Sequence, residues 1–542
     1  MTRSTRIVCM ILWLCGAGTA LAEVLLPDGA RGEGIARGEP LDVITDAWRA
    51  EVESDLRARI ARMESDGTLA PPTKAAGTLF MWPARLVPGH PDPSGWFIAN
   101  FVDQNAAFPN QVRDWNCGAR TYDDASGYNH RGTDISSYPF RWLKMDNDEY
   151  VVVAAAAGTI VRKDDGNFDR NCDRLNPQSS PNAIFVRHAD GSLAWYLHFK
   201  SQSLTTKAIG DSVAAGEFLG VAGSSGSSTA PHLHFEVYDA SGKLVDPYAG
   251  TCNLKNADSW WAQQPPYWDP GVLRMTVGTA AAATNTCPAA ESPNLTNYIA
   301  LPGTAYFTVY LRDFLLGASA ILQVLRPNGT VFATRTLANS QQDYPASYWY
   351  YTFTMPAGEM AGTWTFRVDF AGATHTIPFT VGIAEPPRTT VTEFYHAGFG
   401  HYFVTGTAAE AAALDQGRPS GWARTGRTFP AYAAGAAGQG PVCRFFWTPP
   451  PNTPSTHFYT VIASECALVK GKPDWTFEEN AYASIEPSAT GVCPANTRPL
   501  YRLYNDGQRN SPNHRYTTSF TVVVSMQSQG WLLEGVVMCL PQ

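Results

Sequence analysis

Two short motifs, about a hundred residues apart, restrict how this chain can fold. The first is Asn129-His-Arg-Gly-Thr-Asp134, and the second is Pro231-His-Leu-His-Phe235. Residues two apart in a strand point to the same face, so His232 and His234 would share one cavity. The His and Asp of the first motif flank Gly132 at a spacing that fits a helical turn or a tight loop. Its poor helix formers favour the loop.

Imidazole and carboxylate groups of this kind suit one zinc ion, so His130, Asp134 and the histidine pair are candidate ligands. Three protein ligands would leave one position for water, whose pKa then falls to about 7. A closed structural site would normally use cysteines, and none lies beside these motifs at metal-binding spacing. A further candidate for proton transfer is His198, in the alternating segment 183–199, which predicts a strand of the same sheet.

The order of these motifs resembles that of the lysostaphin-type (duplicated hybrid motif) zinc metallopeptidases, whose signatures are H-x(3)-D, a lone His after an aromatic strand, and H-x-H. The resemblance covers roughly residues 110–250, about a quarter of the chain. It implies an antiparallel β-sheet peptidase domain acting on peptidoglycan peptides or glycine-rich peptides. It implies three zinc ligands, His130, Asp134 and His234. It also implies two catalytic histidines that polarise water and stabilise the oxyanion, His198 and His232.

The first residues predict a secretory signal peptide over residues 1–22. A basic start is followed by the short apolar run Ile7 to Cys15 and by small residues that end at Ala22. Later stretches fall short of the roughly 18 apolar residues that a membrane span requires. We therefore expect a soluble product without a transmembrane segment, either secreted or periplasmic.

Export to an oxidising compartment would allow the cysteines to form disulfides. Removal of the signal peptide leaves eight cysteines, an even number that suggests disulfides. Sequence order favours pairing Cys117 with Cys172 and Cys252 with Cys287, with four more cysteines left for the C-terminal region.

The formal net charge of −8 provides no basic patch, so nucleic acid is not an expected partner.

The chain is long enough for several domains, and its patterns predict a mainly β, multidomain protein. The N-terminal part contains a periodic stretch from Leu41 to Met63 that predicts an amphipathic helix, either in an inhibitory pro-region or simply packed on the next domain. The predicted divisions after the signal peptide are an N-terminal helical segment (23–76), a zinc metallopeptidase domain (77–250), an irregular connector (251–297), an Ig-like β-sandwich (298–382) and a triplicated aromatic-rich domain (390–542).

The last two divisions follow from strand patterns and an internal repeat. Alternating segments such as Tyr306–Leu311 are separated by turns, as in an immunoglobulin-like β-sandwich. Further on, an aromatic pair, a histidine followed by aromatic residues and threonine, and a tryptophan recur three times. The histidines of the three units are His401, His457 and His514, and the tryptophans are Trp422, Trp475 and Trp531. This region resembles a triplicated C-terminal domain of secreted bacterial enzymes, for which we expect cell-wall or carbohydrate binding.

Together these features predict a secreted zinc metalloendopeptidase. The main alternative is a catalytically silent protein that binds the cell wall or activates an amidase. A third possibility is a secreted adhesin whose C-terminal units carry the main role. Zymography on cell-wall substrate with and without a chelator would separate these possibilities.

Overall fold

The computed structural model describes residues 24–73, 77–173, 180–448 and 454–542. The predicted signal peptide, residues 1–22, lies outside the described residues. The chain forms several separate β-sheets with separate apolar cores, in agreement with the predicted mainly β, multidomain architecture. Within the described part of the chain, each helix is too short or too polar to cross a lipid bilayer.

The N-terminal segment contributes to two different parts of the structure. Its elements are β1 (Val24–Leu25), β2 (Arg31–Ile35) and α1 (Asp46–Ser65). The helix begins later than the apolar pattern predicts, because the side chain of Thr45 accepts a hydrogen bond from the backbone N–H of Trp48 and caps the first turn. Leu41 is buried but lies before the helix, in an extended connection between β2 and α1.

The peptidase-like region is built from two antiparallel sheets. Its elements are β3 (Ala84–Leu86), β4 (Trp96–Asn100), β5 (Thr133–Ser137), α2 (Arg141–Asp146), β6 (Tyr150–Val153), β7 (Gly158–Asp164), β8 (Ala183–Arg187), β9 (Leu193–Leu197), β10 (Ser212–Val213), β11 (Phe218–Val221), β12 (His232–Tyr238) and β13 (Leu244–Val245). The large sheet has the order β10-β7-β8-β9-β12-β5-β4, with β13 paired to β12, and the small sheet has the order β11-β6-β3. The segment 183–199, predicted as one strand, is therefore a hairpin of β8 and β9.

The two faces of β12 have different environments, as its alternating sequence predicts. Leu233, Phe235 and Val237 are fully buried in the core between the large and small sheets. The intervening side chains point to the opposite face, where α1 covers part of the large sheet. This strand therefore holds histidines at fixed positions on a face that is closed by the N-terminal segment.

A β-sandwich follows the peptidase-like region and includes strands from outside its predicted bounds. Its strands are β14 (Gly271–Gly278), β15 (Tyr298–Ile299), β16 (Gly303–Phe314), β17 (Ser319–Leu325), β18 (Val331–Ala338), β19 (Tyr344–Met355), β20 (Gly362–Phe370) and β21 (Ala373–Val381). The two sheets have the orders β1-β2-β19-β16-β14 and β15-β21-β20-β17-β18. The prediction of an irregular connector at 251–297 is wrong for β14, whose buried, alternating residues pair with β16.

The C-terminal region repeats one order of elements, strand-strand-helix-strand. Its elements are β22 (Arg388–His396), β23 (His401–Thr405), α3 (Ala408–Asp415), β24 (Trp422–Tyr432), β25 (Gly440–Trp447), β26 (His457–Thr460), α4 (Ala463–Lys470), β27 (Trp475–Ser484), β28 (Thr497–Tyr504), β29 (His514–Thr517), α5 (Phe520–Ser528) and β30 (Leu532–Pro541), with a short 3-10 helix at Gln508–Asn510. The last unit packs through α5 against β6 and β11 of the peptidase-like region. Its apolar side chains there are therefore part of a core.

Disulfides join segments that are distant in sequence. Among the described residues, the structure contains the bonds Cys117–Cys252, Cys172–Cys287, Cys443–Cys466 and Cys493–Cys539. The predicted pairs Cys117–Cys172 and Cys252–Cys287 are wrong, because nearness in sequence does not determine which loops meet. The backbone N–H of Cys252 donates to the carbonyl of Trp115, which brings it beside Cys117.

Peptide mapping without reduction tests this connectivity. After free thiols are alkylated and the protein is digested, we expect mass spectrometry to detect a peptide pair that joins Cys117 to Cys252 and another that joins Cys172 to Cys287. A peptide pair linking Cys117 to Cys172 would contradict the arrangement of the loops.

Candidate active site

Strand register brings the two motifs of the sequence together. In the large sheet His234 of β12 lies opposite Asp134 of β5 on one side and Leu197 of β9 on the other. His130 lies in the loop just before β5, which agrees with the predicted loop, and His198 directly follows β9. His198 has a φ of +70°, a left-handed conformation that is uncommon for a residue with a side chain.

The three predicted zinc ligands present donor atoms at one point. Nε2 of His130 lies 3.1 Å from Oδ1 of Asp134 and 3.3 Å from Nδ1 of His234. Nδ1 of His234 lies 3.0 Å from the same carboxylate oxygen. Ligands at about 2.0–2.1 Å from a tetrahedral zinc are about 3.3 Å apart, so these separations fit one shared ion.

Hydrogen bonds on the outer side of each imidazole fix which nitrogen faces this point. Nδ1 of His130 lies 2.7 Å from the carbonyl oxygen of Phe101, which can only accept, so Nδ1 carries the proton and Nε2 has a free lone pair. Nε2 of His234 lies 2.7 Å from the carboxylate of Glu236, which leaves Nδ1 as the inward atom. This is the usual arrangement around histidines that bind metals.

The two predicted catalytic histidines are oriented in the same way. Nδ1 of His198 donates to the carbonyl of Ser225 at 2.6 Å, and Nδ1 of His232 donates to the carbonyl of Ala230 at 2.8 Å. Their Nε2 atoms consequently point into the site. Nε2 of His232 is buried and has no hydrogen-bond partner among the described residues, although it lies 3.7 Å from Oδ1 of Asp134.

An aspartate from the N-terminal segment completes the cluster. Oδ2 of Asp42 lies 2.7 Å from Nδ1 of His234, 2.8 Å from Nε2 of His198 and 3.5 Å from Nε2 of His232. Its other oxygen, Oδ1, accepts hydrogen bonds from the hydroxyls of Tyr122 and Tyr128. Asp42 is fully buried together with all four histidines.

Glu236, which contacts His234, forms a buried ion pair with Arg49. The guanidinium of Arg49, on α1, donates to both carboxylate oxygens of Glu236, and the two side chains are 2% and 0% exposed. Burial would raise the pKa of Glu236, but Arg49 and the hydrogen bond from His234 hold it below its usual range. Glu236 therefore stays ionised and keeps His234 oriented.

The charges inside the site favour a cation. Burial would raise the pKa of Asp42, but His234 and the hydrogen bonds from the histidines hold it well below its usual range. Burial would lower the pKa of His234, but Asp42 and its other carboxylate neighbours hold it well above its usual value. The positively charged form of His234 is thus favoured where carboxylate oxygens and imidazole nitrogens converge. The chemistry of this donor set fits zinc.

Among the described residues, two overlapping groups of four side chains could hold an ion. The first consists of Asp42, His130, Asp134 and His234, and the second consists of Asp42, His198, His232 and His234. The first group contains all three predicted zinc ligands, and the second contains both predicted catalytic histidines. The assignment of each role remains a prediction, but the structure places the five side chains in one cluster.

Several residues of the site are missing from the sequence prediction. Glu236 could have been found, since it lies two residues beyond His234 on the same face of a strand. Asn100, whose amide donates to Oδ2 of Asp134 at 2.9 Å, carries no sequence signal of its own. Asp42 and Arg49 lie 80 residues or more before the first motif, and only the fold reveals their position.

Sequence comparison finds two family matches. Residues 129–247 match Peptidase family M23, and residues 377–485 match a domain of unknown function, DUF5648. The first match includes all four histidines of the site and Asp134, but not Asp42 or Arg49. The second covers the first two C-terminal units up to β27, so it does not extend over the predicted triplicated domain as a whole.

Two curated relatives are similar over short segments. The cell division protein DipM of Caulobacter vibrioides is 30% identical over 122 residues, which are 22% of this chain and 19% of DipM. The DD-carboxypeptidase/endopeptidase Mpg of Neisseria meningitidis serogroup B is 42% identical over 66 residues, which are 12% of this chain and 14% of Mpg. The chain thus spans less than a fifth of the length of either relative.

Solved structures with local similarity include two peptidase catalytic domains. The catalytic domain of lysostaphin from Staphylococcus simulans is 29% identical, and the match covers 22% of this chain and 77% of that domain with a TM-score of 0.16. A mutant catalytic domain of the M23 protein EnpA from Enterococcus faecalis is 23% identical, and the match covers 26% of this chain and 92% of that domain with a TM-score of 0.18.

The close approach of Gly132 to His234 generates a test of the site. A Cβ atom at Gly132 would lie 2.5 Å from Nε2 of His234, so Gly132→Ala must displace the ring that Glu236 orients. Loss of a hydrogen bond that orients a metal-binding histidine typically weakens metal binding 10- to 100-fold. We expect a loss of zinc affinity of about that size in titrations. Gly77→Ala is the matched control, because its Cβ would meet nothing within 4 Å. Equal zinc affinity in the two variants would contradict this placement of His234.

Proposed function

We propose that this protein is a zinc metalloendopeptidase that hydrolyses peptide bonds in peptidoglycan cross-links or in glycine-rich peptides. The observation that carries the proposal is the convergence of His130, Asp134 and His234 at mutual distances of 3.0–3.3 Å, with two further imidazoles beside them. The match of residues 129–247 to Peptidase family M23 supports a peptidase class. The similarity to Mpg, a DD-carboxypeptidase/endopeptidase, supports a peptidoglycan-type substrate.

In this proposal the chain's own residues bind, orient and move protons. His130, Asp134 and His234 would hold zinc, which when bound supplies Lewis acidity and makes water a usable nucleophile near neutral pH. His198 and His232 face the same point through Nε2, so they can take a proton from the attacking water and stabilise the negative charge that develops on the peptide oxygen. Burial lowers the pKa of His198, which favours the neutral, proton-accepting form.

We also propose that the protein acts outside the cytoplasm, in the periplasm or the medium. The disulfides of the described residues support this location, since such bonds persist in oxidising compartments. Cell-wall or carbohydrate binding by residues 390–542 is part of the same proposal. Because the last C-terminal unit packs on the peptidase-like region, the first two units are the better candidates for such binding.

A catalytically silent wall-binding or amidase-activating protein is the second candidate. One observation favours it: the side chains of all four histidines and of Asp42 have no exposed surface. A site closed in this way cannot admit a peptide without a change in structure. Zymography on purified cell walls with and without a chelator separates the two candidates, since only a peptidase produces clearing that the chelator abolishes.

Substitution of individual histidines tests the assigned roles. His234→Ala should abolish both zinc content and hydrolysis, because it removes a ligand. His198→Ala should retain zinc and lower kcat by about 10²- to 10⁴-fold, the usual contribution of a positioned acid or base. Zinc content is measured by elemental analysis and turnover by release of peptide from cell walls.

The matched control for both is His375→Ala, which changes a partly exposed histidine of the sandwich far along the sequence from the site. It should leave zinc content and turnover unchanged. Full activity of His198→Ala would remove this histidine from the mechanism, and undiminished zinc in His234→Ala would remove that one from the ligand set.

A further inference from the structure

An open cleft of about 350 Å³ lies where the peptidase-like region meets the C-terminal region. The peptidase-like region contributes the end of α2 with the two residues that follow it (146–148) and the loop after β9 (200–203). The C-terminal region contributes residues 427–428 of β24, Arg498 of β28 and the start of α5. The cleft is therefore complete only when the two regions are docked.

The lining of this cleft is polar throughout. Among the described residues, every one that lines it carries a charged, hydroxyl or amide side chain, although 44% of the whole chain is hydrophobic. Its volume falls in the range of about 300–1,000 Å³ that is typical of small-molecule sites, but such sites are usually lined mostly by apolar side chains. A polar lining of this kind favours a ligand that is itself polar and charged.

The buried carboxylate at the cleft, that of Asp148, is already bound by the protein. Its Oδ1 accepts a hydrogen bond from the ammonium group of Lys200 at 2.7 Å. Its Oδ2 accepts hydrogen bonds from the hydroxyls of Ser519 and Thr521 at 2.6 and 2.7 Å. Since Ser519 is the N-cap residue of α5, Asp148 also occupies the N-terminal end of that helix. The helix end is therefore not available to a second anion.

Two arginines at the cleft retain unused donor groups. Arg427 is exposed, and its guanidinium makes no hydrogen bond or ion pair with any described residue. Arg498 is half-buried and, within the described chain, forms one hydrogen bond, to Oδ1 of Asn147 at 3.2 Å, and no ion pair. The remaining carboxylate of the cleft, that of Asp146, contacts the guanidinium of Arg170. Since a planar guanidinium can bind a carboxylate or a phosphate through two parallel hydrogen bonds, this cleft suits an anion.

We propose that this cleft binds an acidic sugar, meaning a sugar unit that carries a carboxylate or a phosphate group. Arg427 and Arg498 bind the anionic group. The cleft is larger than a single carboxylate or phosphate ion, and side chains such as those of Ser201, Gln202 and Thr428 bind the hydroxyls of the sugar, because they both donate and accept hydrogen bonds. This binding site goes beyond the proposed hydrolysis and does not depend on it.

Isothermal titration calorimetry of the full chain with glucuronate, glucose 6-phosphate and glucose tests the proposal. We expect at least one of the two acidic sugars to bind and glucose not to bind, and the sugar that binds identifies the anionic group. Arg427→Ala should weaken this binding about 10- to 100-fold, the size expected for hydrogen bonds between charged groups. The matched control is Arg424→Ala on the same strand, whose guanidinium pairs with Asp415 at 2.8 Å, and it should bind like the parent.

Hydrogen exchange locates the bound sugar. We expect the acidic sugar to slow exchange in peptides that cover residues 200–203 and in peptides that cover residues 427–428, because both segments line the cleft. Arg498→Ala should weaken binding in the same direction as Arg427→Ala. The test does not depend on the folding of Arg498→Ala, since Arg427 is exposed and its substitution removes no packing.

Several results would overturn the proposal. The first is no binding of either acidic sugar, and the second is equal affinity of Arg427→Ala and Arg424→Ala. Glucose that binds as tightly as the acidic sugars would show that charge is not recognised, and inorganic phosphate that binds as tightly as glucose 6-phosphate would show that the sugar is not recognised. Slower exchange confined to residues 129–134 and 232–234 would place the ligand in the candidate active site instead. The peptidase proposal is unaffected by each of these results, because no turnover is measured.

Discussion

The site depends on a buried cluster of imidazole nitrogens and carboxylate oxygens where β5, β12 and β9 meet. Each imidazole has its outer nitrogen bonded to a backbone carbonyl or to Glu236, so in its neutral form it presents a lone pair to the site. Carboxylate oxygens of Asp42 and Asp134 lie among them. Lone pairs at such distances repel unless a proton or a cation lies between them, and their burial keeps water from screening that repulsion.

The surrounding elements position the site and cover it. The peptidase-like sheets fix the register of β5, β12 and β9 and thereby the positions of the motifs. The sandwich accepts β2 into its sheet and so determines where the connection to α1, residues 36–45, begins. The helix α1 covers part of the face of the large sheet that carries the histidines. Its Arg49 binds Glu236, the residue that orients His234.

The sequence was informative where short-range geometry decides the outcome. The two-residue period of β12 predicts that His232 and His234 share a face, and the poor helix formers around Gly132 predict a loop. It was uninformative where distant segments meet. The disulfide partners of Cys117 and Cys172, the membership of β14 in the sandwich, and the entry of Asp42 into the site all depend on tertiary packing that local patterns do not encode.

The central claim is that one divalent ion is held by His130, Asp134 and His234. Zinc K-edge X-ray absorption of the purified protein measures this most directly, because scattering from imidazole rings counts the histidines on the metal. The account predicts one zinc per chain with two imidazoles and oxygen ligands at about 2.0–2.2 Å, and no sulfur. A spectrum with sulfur neighbours, or with fewer than two imidazoles, would contradict it.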